Sequence, residues 1–237
     1  MKAAVYVGTR SCYNHMLWSA KSLLVNSDVE KIYFLIEDDI YPNKLPDCIQ
    51  TINVSEQRFF PPGSANYACH WTYMTLLRAA LPYIFPDLDR ILALDNDTMF
   101  LQDVSDLWNL PIDDYYYAAA KEPLKSKGGC WYVCGYYAQM GVVLHNLKKQ
   151  REDGLTDRLI EELNTVTYQI AEQDCMNIMC EGHIYPLSSD YCVCEYTEPS
   201  DNPKIIHYAA IPNEIWTKEP IVQQYRDMPM EEIRCTL

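Results

Sequence analysis

Two carboxylates at alternate positions, Asp95 and Asp97, are the residues of this sequence whose type and spacing point most directly to chemistry. They follow a short unbroken apolar run, residues 91–94. Such a run predicts a strand buried on both faces, and ligands of open α/β sheets bind beyond the carboxyl ends of the strands. Carboxylate oxygens suit Mg²⁺ or Mn²⁺, and such an ion would hold a di- or triphosphate. For the pair taken alone, the alternative is an acidic, solvated turn without a ligand.

Arg78, His207 and Glu172 each have a functional and a structural interpretation. Arg78 lies in a predicted helix, away from its apolar face, so it is either a solvated charge or a cation directed at a phosphate or base. His207 follows a short apolar run and is either a buried core residue or a metal ligand. Glu172 begins a predicted helix, where the helix dipole alone favours an acidic residue.

The segments that must position these residues alternate between strand and helix patterns. Strands are predicted at residues 3–7, 31–36, 49–54, 91–94, 115–120, 139–144 and 205–208. Helices are predicted at residues 16–25, 69–83, 104–108 and 156–163, and from residues 172 and 219 onward, with a mobile loop at Gly128-Gly129. This alternation favours an α/β sheet, which we expect to be mixed in the second half, where the strict alternation ends.

Composition and charge exclude several classes of protein. The chain has 237 residues, 49% of them apolar and 22% charged, as in an ordinary globular protein. The net charge of −14 argues against nucleic acid as a partner and against a polybasic membrane anchor. No apolar run approaches the ~20 residues of a membrane span, and the one at the N-terminus is too short for a signal peptide. We therefore expect a cytoplasmic protein without a membrane span.

The ten cysteines are scattered along the chain. Because we expect no signal peptide, we expect buried free thiols rather than disulfides. Cys130 with Cys134, and Cys192 with Cys194, could bind zinc, but neither pair has the Cys-x-x-Cys spacing. The sequence therefore disfavours a structural zinc site.

Six sequence blocks, in the same order and with comparable gaps, resemble glycosyltransferase family 8. This family of retaining enzymes includes glycogenin and bacterial lipopolysaccharide galactosyl- and glucosyltransferases. The blocks extend from residue 3 to about residue 216, nearly the whole chain. They are the opening strand with Gly8, Thr9 and Tyr13, the helix with Arg78, residues 88–97, residues 140–147, Glu172-Gln173-Asp174-x-x-Asn177, and residues 206–210.

The resemblance implies a fold, a donor and a set of site residues. The fold is GT-A, in which a Rossmann-like nucleotide-binding half (about residues 1–100) merges with a sugar and acceptor half (about 101–237) in one domain, around a central mixed sheet flanked by helices. The donor is a UDP-sugar carrying glucose or galactose, used with Mn²⁺ or Mg²⁺. The implied metal ligands are Asp95, Asp97 and His207, the catalytic residues are Glu172 and Gln173, and the donor-binding residues are Val7, Gly8, Thr9, Tyr13, Arg78, Asp95, Asn96, Gln139, Gly141 and Lys218.

Three departures from the family pattern affect these expectations. Glu172 stands where many members have Asp, so it is either a nucleophile or a group that stabilises positive charge at the anomeric carbon. Gln139 replaces a frequent Asn and could reshape the sugar pocket. After His207 the chain reads Ala209-Ala210 where members have Gly followed by Lys-Pro-Trp, so the lysine expected at the diphosphate is missing and Lys218 is its candidate substitute.

Two other functions remain open. The departures also suit a catalytically weak UDP-sugar-binding partner protein. Residues 92–98 fit the signature of haloacid-dehalogenase-type phosphatases, in which Asp95 would be a nucleophile and Asp97 a general acid/base, but that signature normally lies near the N-terminus. The acceptor, whether a glycan, a protein hydroxyl or the enzyme itself, and the oligomeric state do not follow from the sequence.

Overall fold

The structure is a computed structural model that describes residues 1–39, 44–69, 71–123 and 134–235. The predicted Gly128-Gly129 loop and Cys130, half of one candidate zinc pair, lie outside these residues. The strands are β1 (Ala3–Val7), β2 (Lys31–Ile36), β3 (Ile49–Asn53), β4 (Arg90–Leu94), β5 (Thr98–Phe100), β6 (Tyr117–Lys121), β7 (Ala138–Asn146), β8 (Ile184–Leu187) and β9 (Ile205–His207). The α-helices are α1 (Tyr13–Asn26), α2 (Leu81–Ile84), α3 (Leu147–Glu152), α4 (Leu155–Thr165), α5 (Ala171–Met179), α6 (Asn213–Trp216) and α7 (Pro220–Asp227). Short 3-10 helices span Arg10–Cys12, Tyr73–Ala80, Ser105–Asn109, Ser189–Tyr191 and Met230–Glu232.

Seven of the strands form one mixed sheet in the order β3-β2-β1-β4-β7-β6-β8. Strands β3, β2, β1 and β4 are parallel, whereas β7 runs antiparallel to both β4 and β6. The strand order changes direction at β1, which lies between β2 and β4. Ligands of open α/β sheets bind at such a switch point, beyond the carboxyl ends of the strands. The predicted mixed sheet is therefore confirmed, and it places the end of β4 at a ligand-binding edge.

The sheet is covered on both faces, as the apolar run at β4 predicts. Ile91 and Ala93 pack into one core cluster with α4, α5 and the Tyr73–Ala80 helix. Leu92 and Leu94 point to the opposite cluster, which includes the apolar side of α1. All four side chains are buried, because alternate positions of a central strand face opposite layers.

A two-stranded ribbon of β5 and β9 lies outside the main sheet. Thr98 pairs with His207 in this ribbon, and the Tyr208 amide donates a hydrogen bond of 3.0 Å to the Asp97 carbonyl. The ribbon therefore brings a residue late in the chain next to the two carboxylates that follow β4. A small third cluster that includes Tyr208, Trp216 and Val222 packs beside it.

The single helix predicted for residues 69–83 is wrong. The structure has a turn, a 3-10 helix at Tyr73–Ala80, and one α-helical turn in α2. Thr72 has a φ of 68°, which an α-helix cannot contain, and its hydroxyl instead caps the 3-10 helix at the Met74 amide. Pro82 lacks the amide hydrogen that a continuous helix would need there. The helix predicted at residues 104–108 is likewise a 3-10 helix, Ser105–Asn109, whereas the peripheral helix after residue 219 is confirmed as α7.

The expectation that the thiols are all free is wrong for one pair, because Cys48 and Cys235 form a disulfide. Six other cysteines of the described residues carry free thiols: Cys12, Cys69, Cys175, Cys180, Cys192 and Cys194. Within the same described ranges, no helix has the length and apolar composition needed to cross a membrane. The cytoplasmic location stays a prediction.

Candidate active site

A cleft of about 770 Å³ opens at the carboxyl ends of β1 and β4. Residues from both halves of the chain line it. Most of the predicted site residues are among them: Val7, Gly8, Thr9, Arg78, Asp95, Asn96, Asp97, Gln139, Glu172, Gln173 and His207. The switch point of the sheet therefore brings together side chains that are up to 200 positions apart in the sequence.

The Asp95, Asp97 and His207 side chains converge on one point of this cleft. His207 Nε2 lies 3.2 Å from Asp97 Oδ1 and 3.4 Å from Asp95 Oδ2. One ligand atom from each of the three residues lies within 4.8 Å of the other two, which is close enough for a common metal ion. Two carboxylates with one imidazole form a ligand set that suits Mn²⁺.

Gly141 of β7 determines where the His207 ring can lie. A Cβ atom on Gly141 would be 2.1 Å from His207 Cε1 and 2.4 Å from His207 Nδ1, so the ring occupies the space that any other residue would fill. Gly141 is also tied to the carboxylate pair, because its carbonyl accepts a hydrogen bond of 2.8 Å from the Asp95 amide. The start of β7 thus holds the imidazole and the carboxylates in register.

Each of these groups changes the protonation of its neighbours. Burial favours the neutral imidazole, but the Asp97 and Asp95 carboxylates raise the pKa of His207 well above its ordinary value. Desolvation likewise favours protonated Asp95, but Arg78 and His207 lower the pKa of that carboxyl below its usual value. The raised pKa of His207 and the two carboxylates beside it both indicate that this part of the cleft favours positive charge.

Arg78 is buried, with 6% of its surface exposed, so the alternative of a solvated helix charge is wrong. One Nη atom contacts Asp95 Oδ1 at 3.1 Å, and the other contacts Glu172 Oε2 at 2.9 Å. The guanidinium also donates to the Met140 carbonyl. Arg78 therefore joins the end of β4, the start of β7 and the first turn of α5.

Glu172 is the most unusual carboxylate of the cleft. Its side chain is 4% exposed, and its Oε1 atom has no hydrogen-bond partner among the described residues. Burial raises the pKa of Glu172 to about 7, against the lowering effect of Arg78. A buried, ion-paired carboxylate with one free oxygen can accept a hydrogen bond from a ligand or stabilise positive charge beside it.

Gln173, predicted to be catalytic, has both ends of its side-chain amide engaged. Its Nε2 donates to Glu122 Oε2 at 3.0 Å and to the Tyr137 hydroxyl at 3.1 Å, and its Oε1 accepts from the Met140 amide at 3.2 Å. These bonds make it a residue that positions Glu122 and β7.

Three of the predicted donor-binding residues, Tyr13, Gly141 and Lys218, are not among those that line the cleft. Tyr13 packs edge-on against Phe34 in the core, with ring centroids 6.1 Å apart. Lys218 is exposed beyond α6 and does not line the cleft. Gly8, by contrast, lines the cleft, but its amide already donates to the Leu35 carbonyl at 3.1 Å.

Several residues of the cleft were missed by the sequence analysis. Glu122 is a buried acidic residue at the end of β6, and Trp71 is an exposed aromatic residue at the rim. Three lining residues, Thr72, Ala171 and Ala210, have positive φ values although they are not glycine. Backbone strain of this kind concentrates at functional sites, but single side chains give no sequence signal for it.

Comparisons with known proteins agree with this geometry. A family model described as Glycosyl transferase family 8 matches residues 13–219. The chain is 26% identical over 205 residues to glycosyltransferase GlyE of Streptococcus pneumoniae serotype 4, a match that covers 80% of this chain and 47% of GlyE. It is 25% identical over 181 residues to a putative glycosyltransferase of Haemophilus influenzae, covering 67% and 52% of the two chains. The chain thus spans about half the length of these curated relatives.

Solved structures show the same fold. The crystal structure of GlyE matches with a TM-score of 0.71 at 20% identity, over 98% of this chain and 62% of that one. The galactosyltransferase LgtC, solved in complex with donor and acceptor sugar analogues, matches with a TM-score of 0.67 at 17% identity, over 97% and 98% of the two chains. At these identities the likeness establishes the fold, which is GT-A, as predicted.

Proposed function

Because the chain belongs to glycosyltransferase family 8, we propose that it transfers glucose or galactose from a UDP-sugar to an acceptor, with retention of anomeric configuration. The observation that carries this proposal is the convergence of Asp95, Asp97 and His207 beside the Arg78–Glu172 ion pair in one cleft. In the proposed division of the single domain, about residues 1–100 bind the nucleotide, and about residues 101–237 complete the metal site and bind the sugar and acceptor.

Asp95, Asp97 and His207 are the proposed ligands of Mn²⁺ or Mg²⁺, and the imidazole favours Mn²⁺. When bound, the ion supplies a Lewis acid that neutralises charge on the departing UDP. The ends of β1 and β4 offer Val7, Thr9 and Asn96 to the nucleotide.

Arg78 and Glu172 are the proposed centre of the chemical step. The Arg78 guanidinium forms ion pairs with both Asp95 and Glu172 and so fixes the distance between them. In this proposal, the Asp95 carboxylate binds the metal and the Glu172 carboxylate faces the sugar. The free Oε1 of Glu172 suits an interaction with the anomeric carbon as positive charge develops there. Because the other oxygen is held by Arg78, we favour electrostatic stabilisation over nucleophilic attack for this residue.

One observation favours a weaker activity. No lysine stands at the position after His207 that the family resemblance implies, and Lys218 does not line the cleft, which supports a weaker hold on a diphosphate. A catalytically weak UDP-sugar-binding partner protein is therefore the second candidate. Family membership speaks against the phosphatase.

A thermal-shift panel tests the donor. UDP, UDP-glucose, UDP-galactose, UDP-GlcNAc and GDP-mannose are each added with Mn²⁺ and with EDTA, since a ligand that binds only the native state raises its melting temperature. We expect stabilisation by UDP and by one UDP-hexose, with Mn²⁺ only. If no nucleotide stabilises the protein, the proposal fails; if nucleotides bind but no donor is turned over or hydrolysed, the weak binder replaces it.

Glu172→Gln separates chemistry from binding. The substitution keeps the shape of the side chain and removes its charge, so we expect donor hydrolysis or transfer to fall at least ~100-fold while the UDP-sugar affinity changes less than ~5-fold. Glu162→Gln, on α4, is the matched control. Equal turnover in Glu172→Gln and the wild type would make Glu172 a structural residue.

A further inference from the structure

Both ring nitrogens of His207 lie next to other potential metal ligands. Its Nε2 atom faces the two carboxylates, and its Nδ1 atom lies 3.8 Å from Cys192 Sγ. Cys194 is the next residue but one, and ligand atoms of Cys192, Cys194 and His207 all lie within 4.8 Å of one another. We infer that these three residues form a second metal site, for a thiophilic ion such as Zn²⁺ or Cd²⁺.

The backbone fixes the two cysteines relative to His207. Val193, between them, accepts a hydrogen bond of 2.9 Å from the His207 amide and donates one of 2.9 Å to the Ile205 carbonyl. The buried Thr197 hydroxyl accepts from the Cys194 amide at 3.0 Å and donates to the Cys192 carbonyl at 2.7 Å. These hydrogen bonds tie the cysteine pair to β9 and to His207. The structure thus brings together three ligands that the spacing of the cysteines in the sequence does not predict.

The ligand set differs in chemistry from the neighbouring carboxylate set. Two thiolates and one imidazole prefer Zn²⁺ or Cd²⁺, whereas the carboxylate side suits Mn²⁺ or Mg²⁺. Cys192 is fully buried and Cys194 is partly exposed, so an ion can enter past Cys194. A fourth ligand is at hand, because Gln139 Oε1 lies 3.4 Å from Cys192 Sγ. On binding, the imidazolium loses the proton of Nδ1, and any thiol that is still protonated loses its own, to solvent.

The shared imidazole makes the two metal sites antagonistic, a consequence that rests on the proposed function of Asp95, Asp97 and His207. A neutral imidazole has one nitrogen lone pair to donate and one N–H. When Nδ1 binds the soft ion, Nε2 keeps its hydrogen and donates it to the carboxylates, so it no longer serves as a ligand for the hard ion. A thiophilic ion would therefore weaken Mn²⁺ binding without entering the carboxylate site.

Cd²⁺ titration of the full chain tests the site without any measurement of activity. We expect one tightly bound Cd²⁺ per chain, with thiolate-to-metal charge-transfer absorption in the ultraviolet. Cys192→Ser and Cys194→Ser should each lose at least half of this absorption and at least 10-fold in affinity. Cys194 is partly exposed, so its variant keeps the fold, which its melting temperature verifies. Cys69→Ser, at a partly exposed thiol outside the cleft, should keep it.

The same absorption in Cys194→Ser and in the wild type would overturn the site and leave the cysteines as plain thiols.

Mn²⁺ displacement, followed by the electron paramagnetic resonance signal of free Mn²⁺, tests the antagonism. The Zn²⁺ concentration that displaces half of the Mn²⁺ should rise at least 10-fold in Cys192→Ser/Cys194→Ser. An unchanged concentration overturns the antagonism. Absence of any Mn²⁺ binding alongside normal Cd²⁺ absorption would refute the proposed function but not the thiophilic site.

Discussion

Two buried histidines show how differently this molecule uses the same side chain. His145 lies in the middle of the sheet, on β7 opposite Ile91, and His207 ends the ribbon at the edge of the cleft. Their exposed fractions are 0% and 3%. Neither ring nitrogen of His145 has a hydrogen-bond partner among the described residues, whereas both nitrogens of His207 face ligand-type atoms.

The protonation of the two rings differs in the same way. Burial, helped by the positive charge of Arg78, lowers the pKa of His145 to about 3. The carboxylates outweigh burial at His207 and raise its pKa well above the ordinary value. Burial is nearly equal at the two positions, so their partners decide whether a buried histidine is a core residue or a candidate ligand. Arg78 acts on both regions. Its positive charge disfavours protonation of His145, and its guanidinium holds the Asp95 carboxylate beside His207.

Removal of Arg78 should therefore have the largest effect on both regions. In Arg78→Met, Glu172 and Asp95 lose their buried cation, so we expect the free energy of unfolding to fall by about 3–5 kcal/mol, as when one partner of a buried ion pair is removed. Urea denaturation measures the change. Arg158→Met, on the exposed face of α4, is the control and should change the free energy by at most about 0.5 kcal/mol. A loss that small in Arg78→Met would show that the ion pair does not support the cleft.

Gly141→Ala should break the His207 region while leaving the His145 region intact. The new Cβ would occupy the position of His207 Cε1 and Nδ1, so the ring must move away from the carboxylates. Displacement of one ligand should weaken Mn²⁺-dependent UDP binding about 10–100-fold, in the range found when metal ligands lose their support. Calorimetric titration measures the affinity. Gly135→Ala, whose Cβ would have only an ordinary contact of 3.4 Å with Glu181, should bind UDP as the wild type does.

A pH series should reveal the cost of the buried neutral His145. Its folded pKa of about 3 lies below the unfolded value near 6.5, so protons bind the unfolded state preferentially as the pH falls from about 6.5 to 3. At pH 5 this costs about 2 kcal/mol of stability. His145→Leu cannot take up that proton, so its free energy of unfolding should fall about 2 kcal/mol less between pH 7.5 and pH 5.

The control for this series is His183→Leu. The His183 side chain is exposed, so the substitution should leave the pH dependence of the wild type. If the free energy of unfolding depends on pH equally in His145→Leu and in the wild type, the His145 ring must have a hydrogen-bond partner in solution that stabilises its protonated form.

The contrast between the carboxylates and the histidine of the proposed metal site also explains what the sequence can predict. Asp95 and Asp97 follow a continuous apolar run, so their element and their position at the sheet edge can be predicted from local pattern. His207 ends a three-residue strand whose pairing with β5 spans about 100 positions, so only the family resemblance identifies it. Glu122 and the convergence of Cys192 with His207 depend on tertiary contacts alone. Tyr13 and Lys218 do not line the cleft, which the sequence could not predict, because family position does not specify where a side chain lies.

The prediction with the smallest expected effect concerns Ala210, three residues after His207, and tests whether backbone strain there destabilises the ribbon. It has a φ of 59°, in the left-handed region, where family members have glycine in this segment. That conformation costs a non-glycine residue roughly 1–2 kcal/mol, and the larger chain entropy of unfolded glycine offsets part of it. Ala210→Gly should therefore raise the free energy of unfolding by about 0.5–1 kcal/mol. Ala209→Gly, at a buried residue without positive φ, should instead lower it, because there no strain is relieved while backbone entropy and the loss of a buried methyl group both act against the folded state. If both substitutions destabilise the protein, the strain at Ala210 is compensated by contacts of its methyl group, and the ribbon after His207 is held by packing of its side chains.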